Sequence, residues 1–286
     1  MKKLVLSLLL IIVPAAVLAA GLLRVPATVS TTEIFRALNP IITDAWPREG
    51  REFITKINSF KNYYGVLLAG LPLIFLVHYV VFGPKKFPES GEKVFYYGVF
   101  LRLVHWGAAL TMSLLVLSGL AVIFAKFLGG GALVLKLRAV HVGAAFSFVP
   151  FGVLLFLLLL KDMFPAPYDL KWFLVLGGYL WRRQRPVPAG KFNAGQKLWF
   201  WLGTVGGIVM FYTGYTLYQF KAPVSVLRQY LVIHLSLGLA VFGLFLVHLY
   251  MSLLAVKGAL RSMISGYKDR EEVAYMHPKY YEKLKS

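Results

Sequence analysis

The sequence feature that most constrains this chain is its last long apolar run, roughly residues 229–256, which carries His234 and His248. At about 1.5 Å per residue, a helix of this length crosses the roughly 30 Å hydrocarbon core of a bilayer. The histidines are 14 positions apart, so both imidazoles project from nearly the same helical face, about 21 Å apart along the axis. A titratable, metal-binding side chain in lipid is costly and indicates a functional site. Two on one face suggest two cofactors at different depths.

Four other apolar runs are long enough to span a membrane, at roughly 63–83, 98–126, 138–160 and 198–220. Lipid offers the backbone no hydrogen-bond partners, so each run predicts a helix. Of the 286 residues, 58% are hydrophobic, as in an integral membrane protein. We therefore predict an all-α membrane protein, a transmembrane helical bundle with a four-helix core (84–260) and one extra N-terminal span. A shorter apolar stretch, 172–181, predicts an interfacial helix.

The N-terminus has the pattern of a secretory signal peptide. Residues 1–23 combine two lysines, an apolar centre and small residues around Ala15 to Ala20, with a predicted cleavage site near Ala19. The same length also fits an uncleaved first span. In either case residues 24–62 are translocated, which predicts a periplasmic segment before the extra span 63–83.

The distribution of lysine and arginine predicts the orientation of the chain. With residue 24 outside, the tracts assigned to the inside carry 18 lysines and arginines, against 11 in those assigned to the outside. This excess follows the positive-inside rule and agrees with the signal-like start. We expect a multi-pass protein of the bacterial cytoplasmic (inner) membrane, with residues 261–286 as a cytoplasmic tail.

Composition excludes several classes of function. The net charge of +19 could suggest nucleic acid, but these cations flank apolar runs. Anionic lipid headgroups explain them better, and no nucleic-acid partner is expected. Because the chain contains no cysteine, it cannot hold a disulfide, a thioether-bound haem or a thiolate-ligated iron–sulfur cluster. Any metal centre must use histidine, methionine or carboxylate.

Four histidines fall into two depth-matched pairs on this topology. His105 and His248 lie toward the cytoplasmic ends of their spans, and His141 and His234 toward the outer ends. Each pair comes from different helices and can bind one planar haem from both sides. Filling both axial positions leaves no site for oxygen or substrate, so such haems transfer electrons. The pattern predicts a transmembrane electron path through two haems.

Other cations and histidines refine this interpretation. Arg102 and Arg138 precede two of the paired histidines by one turn and could bind haem propionates. A single membrane histidine is more often a hydrogen-bond partner between helices than a metal ligand. We expect a structural or interfacial role for His78, which has no depth-matched partner. His277 in the polar tail is expected to be solvated or to serve in docking.

The polar tract AGKFNAGQKLWFW precedes the run 198–220 on the cytoplasmic side, near the level of His105 and His248. Asn193 and Gln196 supply amide donors and acceptors, and Gly195 permits close backbone approach. Beside an apolar entrance, these groups could bind the carbonyls of a quinone. The same residues could instead form a helix N-cap.

These motifs resemble those of a known family. The four histidines, their order, the 14-residue spacing and the tracts RLVHW, KFNAGQK and HPKYYEK are similar to the cytochrome b (gamma) subunit of membrane-bound respiratory formate dehydrogenases. The resemblance covers about residues 95–282. The signal-like segment and the span 63–83 resemble the longer bacterial form of that subunit.

The resemblance implies a di-haem cytochrome b core. It assigns His141 and His234 to an outer, periplasmic haem b and His105 and His248 to an inner one. It also implies a quinone site on the cytoplasmic side, beside His248, formed by three residues of the polar tract: Asn193, Gly195 and Gln196.

The same resemblance implies partner subunits. Electrons come from a periplasmic catalytic alpha subunit, which holds a molybdenum or tungsten pterin, through an iron–sulfur beta subunit. Formate oxidation then takes place on a partner chain, and this chain transfers electrons to quinone in anaerobic respiration. The missing cysteines fit this division, because the clusters belong to the partner.

Three alternatives remain open. The first is the cytochrome b subunit of a membrane-bound nickel–iron hydrogenase. The tract KFNAGQK and the histidine spacing favour formate dehydrogenase over this alternative. The second is a haem-free, proton-coupled transporter in which the histidines relay protons, although inverted repeats are not detectable. The third is a purely structural anchor, which predicts that loss of His105 leaves electron flow intact.

Overall fold

The computed structural model describes residues 49–88, 90–181 and 185–286. The signal peptide predicted at 1–23 and most of the segment 24–62 lie outside these ranges. Within them, four helices are long and apolar enough to span a membrane: Gly50–Phe82, Val99–Ile123, Gly131–Met163 and Val224–Ala255. The predicted class, an all-α membrane protein, is confirmed.

The described chain contains ten α-helices and two short β-strands. They are α1 (Glu49–Phe82), β1 (Lys93–Phe95), α2 (Val99–Ile123), α3 (Gly131–Met163), α4 (Pro167–Leu174), α5 (Ala194–Trp201), α6 (Gly207–Gln219), α7 (Val224–Tyr250), α8 (Ala259–Ser265), β2 (Tyr267–Asp269), α9 (Arg270–Met276) and α10 (Pro278–Lys285).

The run predicted as a span at 198–220 is helical but irregular. A π-helical turn, Leu202–Gly206, joins α5 to α6. A second one, Met251–Ala255, extends α7 and begins three residues after His248. π-Helical turns are rare and concentrate at functional sites. One of these turns follows the polar tract and the other follows His248, which supports a functional role for both segments.

Two helices have boundaries that differ from the predicted ones. α1 extends from Glu49, well before the predicted start at residue 63. The interfacial helix predicted at 172–181 instead begins at Pro167, whose fixed φ suits the first helical turn. It ends before Gly177, which has a φ of 61° and so interrupts right-handed helix.

The described residues form two compact units. The first contains residues 49–68, Gly107–Phe151 and Gly206–Phe242, and the second contains Ala69–Trp106, Gly152–Val205 and Gly243–Ser286. In the first unit, a Cβ at Gly107 would lie 2.3 Å from the Phe151 ring, so only glycine allows this approach. The Tyr64 hydroxyl donates a hydrogen bond to the Leu235 carbonyl at 3.0 Å, which ties α1 to α7.

The second unit includes a folded C-terminal tail. β1 and β2 pair antiparallel, with Val94 opposite Lys268. Residues from the loops, the helices and the tail share one apolar core: Tyr96, Tyr97, Met163, Phe192, Phe200 and Val273. The tail is thus part of the second unit and is packed into its core.

His277 is buried in this tail, so the expectation of a solvated side chain is wrong. Its Nδ1–H donates to the Gly190 carbonyl at 2.9 Å, and its ring centroid lies 5.6 Å from that of Tyr96. Burial, reinforced by the positive charge of Lys268, lowers the pKa of His277 to about 3. The residue is therefore a neutral packing group at physiological pH.

We expect docking of the tail to weaken as the pH falls. Below the unfolded pKa of 6.5, a released tail binds a proton that buried His277 does not bind until about pH 3. Stability is therefore lost between these values, at roughly 1.4 kcal/mol per pH unit. Hydrogen exchange of tail amides, corrected for intrinsic rates, should report it, and His277→Asn should abolish the dependence. Protection that does not change with pH in the unsubstituted protein would contradict this account.

Candidate functional site

The first unit places His141 on α3 and His234 on α7 opposite each other. Their ring centroids are 6.3 Å apart and the ring planes are inclined at 72°. The Nδ1 atom of His141 lies 3.1 Å from the Leu115 carbonyl, and that of His234 lies 3.1 Å from the Met210 carbonyl. A carbonyl can only accept, so each Nδ1 carries the proton and each Nε2 keeps a free lone pair.

The second unit contains the other pair, His105 on α2 and His248 on α7. Their ring centroids are also 6.3 Å apart, with the planes at 55°. The indole of Trp199 stacks on His248, with centroids 5.6 Å apart and planes at 21°. The Nδ1 atom of His105 is buried and has no hydrogen-bond partner among the described residues.

Both pairs fit a metal held between the two rings. In zinc sites imidazole binds at about 2.0 Å, so two imidazoles on opposite sides of one metal have centroids roughly 6 Å apart. Donation of Nδ1–H to a carbonyl is also how metal-binding histidines fix their tautomer. The described part of the chain has no group of three or more His, Cys, Asp or Glu that could hold a bare ion. Two protein ligands per site suit a metal whose macrocycle supplies the others.

Comparison with known families decides which macrocycle is expected. The family described as prokaryotic cytochrome b561 matches residues 96–266, a range that covers more than half of the chain and includes all four paired histidines. The chain belongs to this cytochrome b561 family. Membership makes haem b the expected cofactor and a helical membrane bundle the expected fold.

The chain is also similar in sequence to individual proteins of known name. It is 28% identical over 199 residues to the cytochrome b556(Fdn) subunit of the nitrate-inducible formate dehydrogenase of Escherichia coli K12, covering 64% of this chain and 88% of that protein. It is 27% identical over 201 residues to the formate dehydrogenase cytochrome b556 subunit of Haemophilus influenzae, covering 63% and 79%. These names confirm the family resemblance recognised in the sequence.

The two arginines predicted to bind haem propionates differ in their surroundings. The guanidinium of Arg102 donates to the carbonyl of Ile264, while its Nε is buried and has no partner among the described residues. Arg138 is exposed. Contact of either residue with a propionate stays a prediction.

The polar tract predicted to bind quinone forms the N-terminus of α5. Asn193 Oδ1 accepts from the Gln196 backbone N–H at 3.0 Å, and Gln196 Oε1 accepts from the Asn193 backbone N–H at 2.9 Å. This is a reciprocal capping box, the alternative left open by the sequence. It engages the two side-chain oxygens and makes no use of the amide NH₂ groups. A Cβ at Gly195 would lie 2.8 Å from the Trp172 ring, so glycine lets that indole pack on the helix.

A buried ion pair that includes Lys197 of this tract was not predicted. Lys197 Nζ lies 2.7 Å from Asp169 Oδ2, and the two side chains are only 7% and 9% exposed. The same carboxylate oxygen accepts from the Ala166 backbone N–H at 2.7 Å and caps α4. No sequence spacing links a residue of α4 to one of α5, so only the tertiary structure reveals the pair.

His78 has the structural role expected of it. Its Nε2 donates to the Tyr179 carbonyl at 3.0 Å, so its Nδ1 accepts from the Tyr250 hydroxyl. The Tyr250 ring also stacks on Phe75, with centroids 4.4 Å apart. These contacts fasten the extra helix α1 to α7 within the second unit.

We expect Gly214→Ala to reduce haem binding by the pair in the first unit. A Cβ there would lie 2.9 Å from His234 Cε1, so the imidazole must move, at a cost of about 1–3 kcal/mol for overpacking. Haem content per chain measures the effect. Gly203→Ala is the matched control, since a Cβ at that position meets nothing within 4 Å. Equal haem content in the two variants would contradict the prediction.

Proposed function

We propose that this protein is the membrane cytochrome b subunit of a formate dehydrogenase and carries electrons from a periplasmic partner to quinone. The observation that carries the proposal is the pair of histidine sites with equal 6.3 Å ring spacing. Support for the donor comes from relatives that are named as formate dehydrogenase cytochrome b556 subunits.

Each histidine pair is proposed to bind one haem b. His141 and His234 would hold the iron at one site, and His105 and His248 would hold it at the other. Each haem would supply reversible one-electron transfer when bound. The Nδ1–H hydrogen bonds of the first pair hold the rings with Nε2 available for the metal.

The donor is proposed to be an iron–sulfur subunit attached to a catalytic subunit that contains molybdenum or tungsten. A chain without cysteine cannot ligate such clusters itself. Electrons then enter at His141 and His234, which the sequence topology assigns to the periplasmic side. Formate oxidation takes place on the partner.

Quinone is proposed to bind at the N-terminus of α5. The amide NH₂ groups of Asn193 and Gln196 can donate to a quinone carbonyl, because the capping box engages their oxygens. Gln196 and Trp199 are three residues apart on α5 and share a helix face. The Trp199 indole stacks on His248, which connects the proposed quinone site to a proposed haem ligand through a single helix.

The proposed direction of electron flow conserves energy. Lysine and arginine counts favour a cytoplasmic location for the polar tract and the tail, so quinone takes its protons from the cytoplasm. Each electron moves inward against the membrane potential at about 2.3 kcal/mol per 100 mV. Formate oxidation therefore contributes to the proton-motive force.

Reconstitution of the purified complex in liposomes tests this function. Formate should reduce an added quinone and generate a membrane potential, followed with a potential-sensitive dye. Quinone reduction with no potential would contradict the proposed arrangement. If formate does not reduce the cytochrome, and hydrogen does so in the presence of a hydrogenase partner, the donor is a hydrogenase.

The variant Asn193→Ser tests the quinone site separately. Serine retains an N-cap oxygen and removes the amide donor. We expect slower quinone reduction and a higher KM for quinone, with unchanged reduction of the cytochrome by formate. Unchanged quinone kinetics would remove Asn193 from the site.

A further inference from the structure

The histidine that α3 contributes to the first unit is held by three neighbouring groups on α2. The Leu115 carbonyl and the Ser118 hydroxyl lie 3.1 Å and 3.0 Å from His141 Nδ1. Gly119 completes the surface, since a Cβ there would lie 3.2 Å from His141 Cε1. These positions are i, i+3 and i+4 and therefore share one helix face.

The histidine that α7 contributes is held in the same way by α6. The Met210 carbonyl and the Thr213 hydroxyl lie 3.1 Å and 3.2 Å from His234 Nδ1. A Cβ at Gly214 would lie 2.9 Å from His234 Cε1. The order of groups is again carbonyl at i, hydroxyl at i+3 and glycine at i+4.

The repetition is visible in the sequence as a five-residue pattern. It begins with leucine or methionine, continues with any two residues, and ends with a hydroxyl residue followed by glycine. It reads LVLSG at 115–119 and MFYTG at 210–214. The carbonyl alone would fix the tautomer of each ring, and glycine alone would provide the space. Neither the tautomer of the ring nor the space beside it explains why a hydroxyl is present.

Each hydroxyl is oriented to accept from the imidazole. Thr213 Oγ1 donates to the Val209 carbonyl at 2.8 Å, and Ser118 Oγ donates to the Leu114 carbonyl. With their own protons engaged on the backbone, the hydroxyl oxygens share the Nδ1–H that also donates to a carbonyl. A more strongly hydrogen-bonded Nδ1–H makes imidazole a more basic metal ligand. A more basic ligand favours ferric over ferrous iron and so lowers the reduction potential.

We propose that Ser118 and Thr213 are positioning residues that lower the reduction potential of the haem bound between His141 and His234. This inference rests on the proposed function, since it concerns a haem at that pair. Ser118 contacts His141 and Thr213 contacts His234, so the two hydroxyls would act on the same iron through different histidines and their effects should be additive.

Paired substitutions of the full-length, haem-loaded protein test the proposal. Thr213→Val removes the hydroxyl at constant volume, and Thr213→Ser retains it. Potentiometric titration with optical detection should show one midpoint raised in Thr213→Val, the other midpoint unchanged, and neither changed in Thr213→Ser. Ser118→Ala should raise the same midpoint, and the double variant should raise it further. Electron paramagnetic resonance should show low-spin iron throughout.

Thr111→Val is the matched control. Thr111 lies on α2, is buried, and donates to the carbonyl of Gly107 at 2.9 Å. It makes the same kind of bond to its own helix without a described contact to an imidazole. Its substitution should leave both midpoints unchanged.

The outcomes separate this inference from the proposed function. Unchanged midpoints in Thr213→Val and Ser118→Ala would overturn the inference, even if the unsubstituted protein binds two haems and reduces quinone. Loss of the haem in Thr213→Val with retention in Thr213→Ser would assign the hydroxyl to ring retention and also overturn the tuning role. An unsubstituted protein that binds no haem would overturn the proposed function itself.

Discussion

Substitution of His234 by alanine is expected to lower the haem content of the purified protein by about half. Among the histidines that the structure describes, His234 pairs with His141, and His248 pairs with His105. Removing one ligand therefore eliminates one low-spin haem site and leaves the other intact. His248→Ala should remove the other haem, and the double variant should bind none. Haem per chain by the pyridine haemochrome assay, with reduced-minus-oxidised spectra, measures these losses.

His78→Gln is the control for the ligand variants. His78 is a membrane histidine, but its ring nitrogens face Tyr250 and Tyr179 rather than another imidazole. We expect this variant to keep both haems with unchanged spectra. If His78→Gln loses as much haem as His234→Ala, the paired geometry is not what binds haem.

Replacing Lys197 with methionine should destabilise the protein by about 3–5 kcal/mol, the usual cost of leaving one member of a buried ion pair without its partner. Asp169 would retain only the Ala166 amide as a donor to Oδ2, and its Oδ1 already has no partner among the described residues. Thermal or denaturant unfolding in detergent, followed by circular dichroism, measures the loss.

Two further variants isolate the cause of that loss. Asp169→Asn added to Lys197→Met removes the buried charge and keeps an oxygen for the α4 cap, so the double variant should be more stable than Lys197→Met alone. Lys191→Met removes a partner of Asp162 at 3.8 Å, with side chains 24% and 28% exposed. This more exposed pair should contribute less than about 1 kcal/mol. Equal losses in Lys191→Met and Lys197→Met would show that burial does not control the effect.

The sequence predicted which histidines meet, because that outcome depends on few quantities. Span length and the positive-inside rule assign an approximate depth to each histidine, and only two combinations match in depth. The structure brings together those same pairs, His105 with His248 and His141 with His234. Their role as ligands stays a prediction.

The groups around those histidines could not be predicted in the same way. Which carbonyl receives an Nδ1–H depends on the rotation of a neighbouring helix, and no residue type marks a backbone carbonyl. The repeated hydroxyl–glycine pairs, Ser118-Gly119 and Thr213-Gly214, were nevertheless visible in the sequence. A search for short repeats within spans would have found them.

Burial of polar groups near the ends of the spans was also hidden from the sequence. The tail containing His277 is polar in composition, yet it folds into an aromatic core around Tyr96. Lys197 and Asp169 are 28 positions apart, with no periodicity that relates them. In both cases tertiary packing overrides the expectation that charged and polar segments are solvated.

The most direct test of the central claim is the haem content and spin state of the unsubstituted, full-length protein. The pyridine haemochrome assay should give two b haems per chain, and electron paramagnetic resonance should show both to be low-spin. Carbon monoxide should leave the reduced spectrum unchanged, because both axial positions are filled. Protein expressed in haem-replete cells that is folded but contains no haem, or whose haem binds carbon monoxide, would contradict the assignment of two bis-histidine electron-transfer sites.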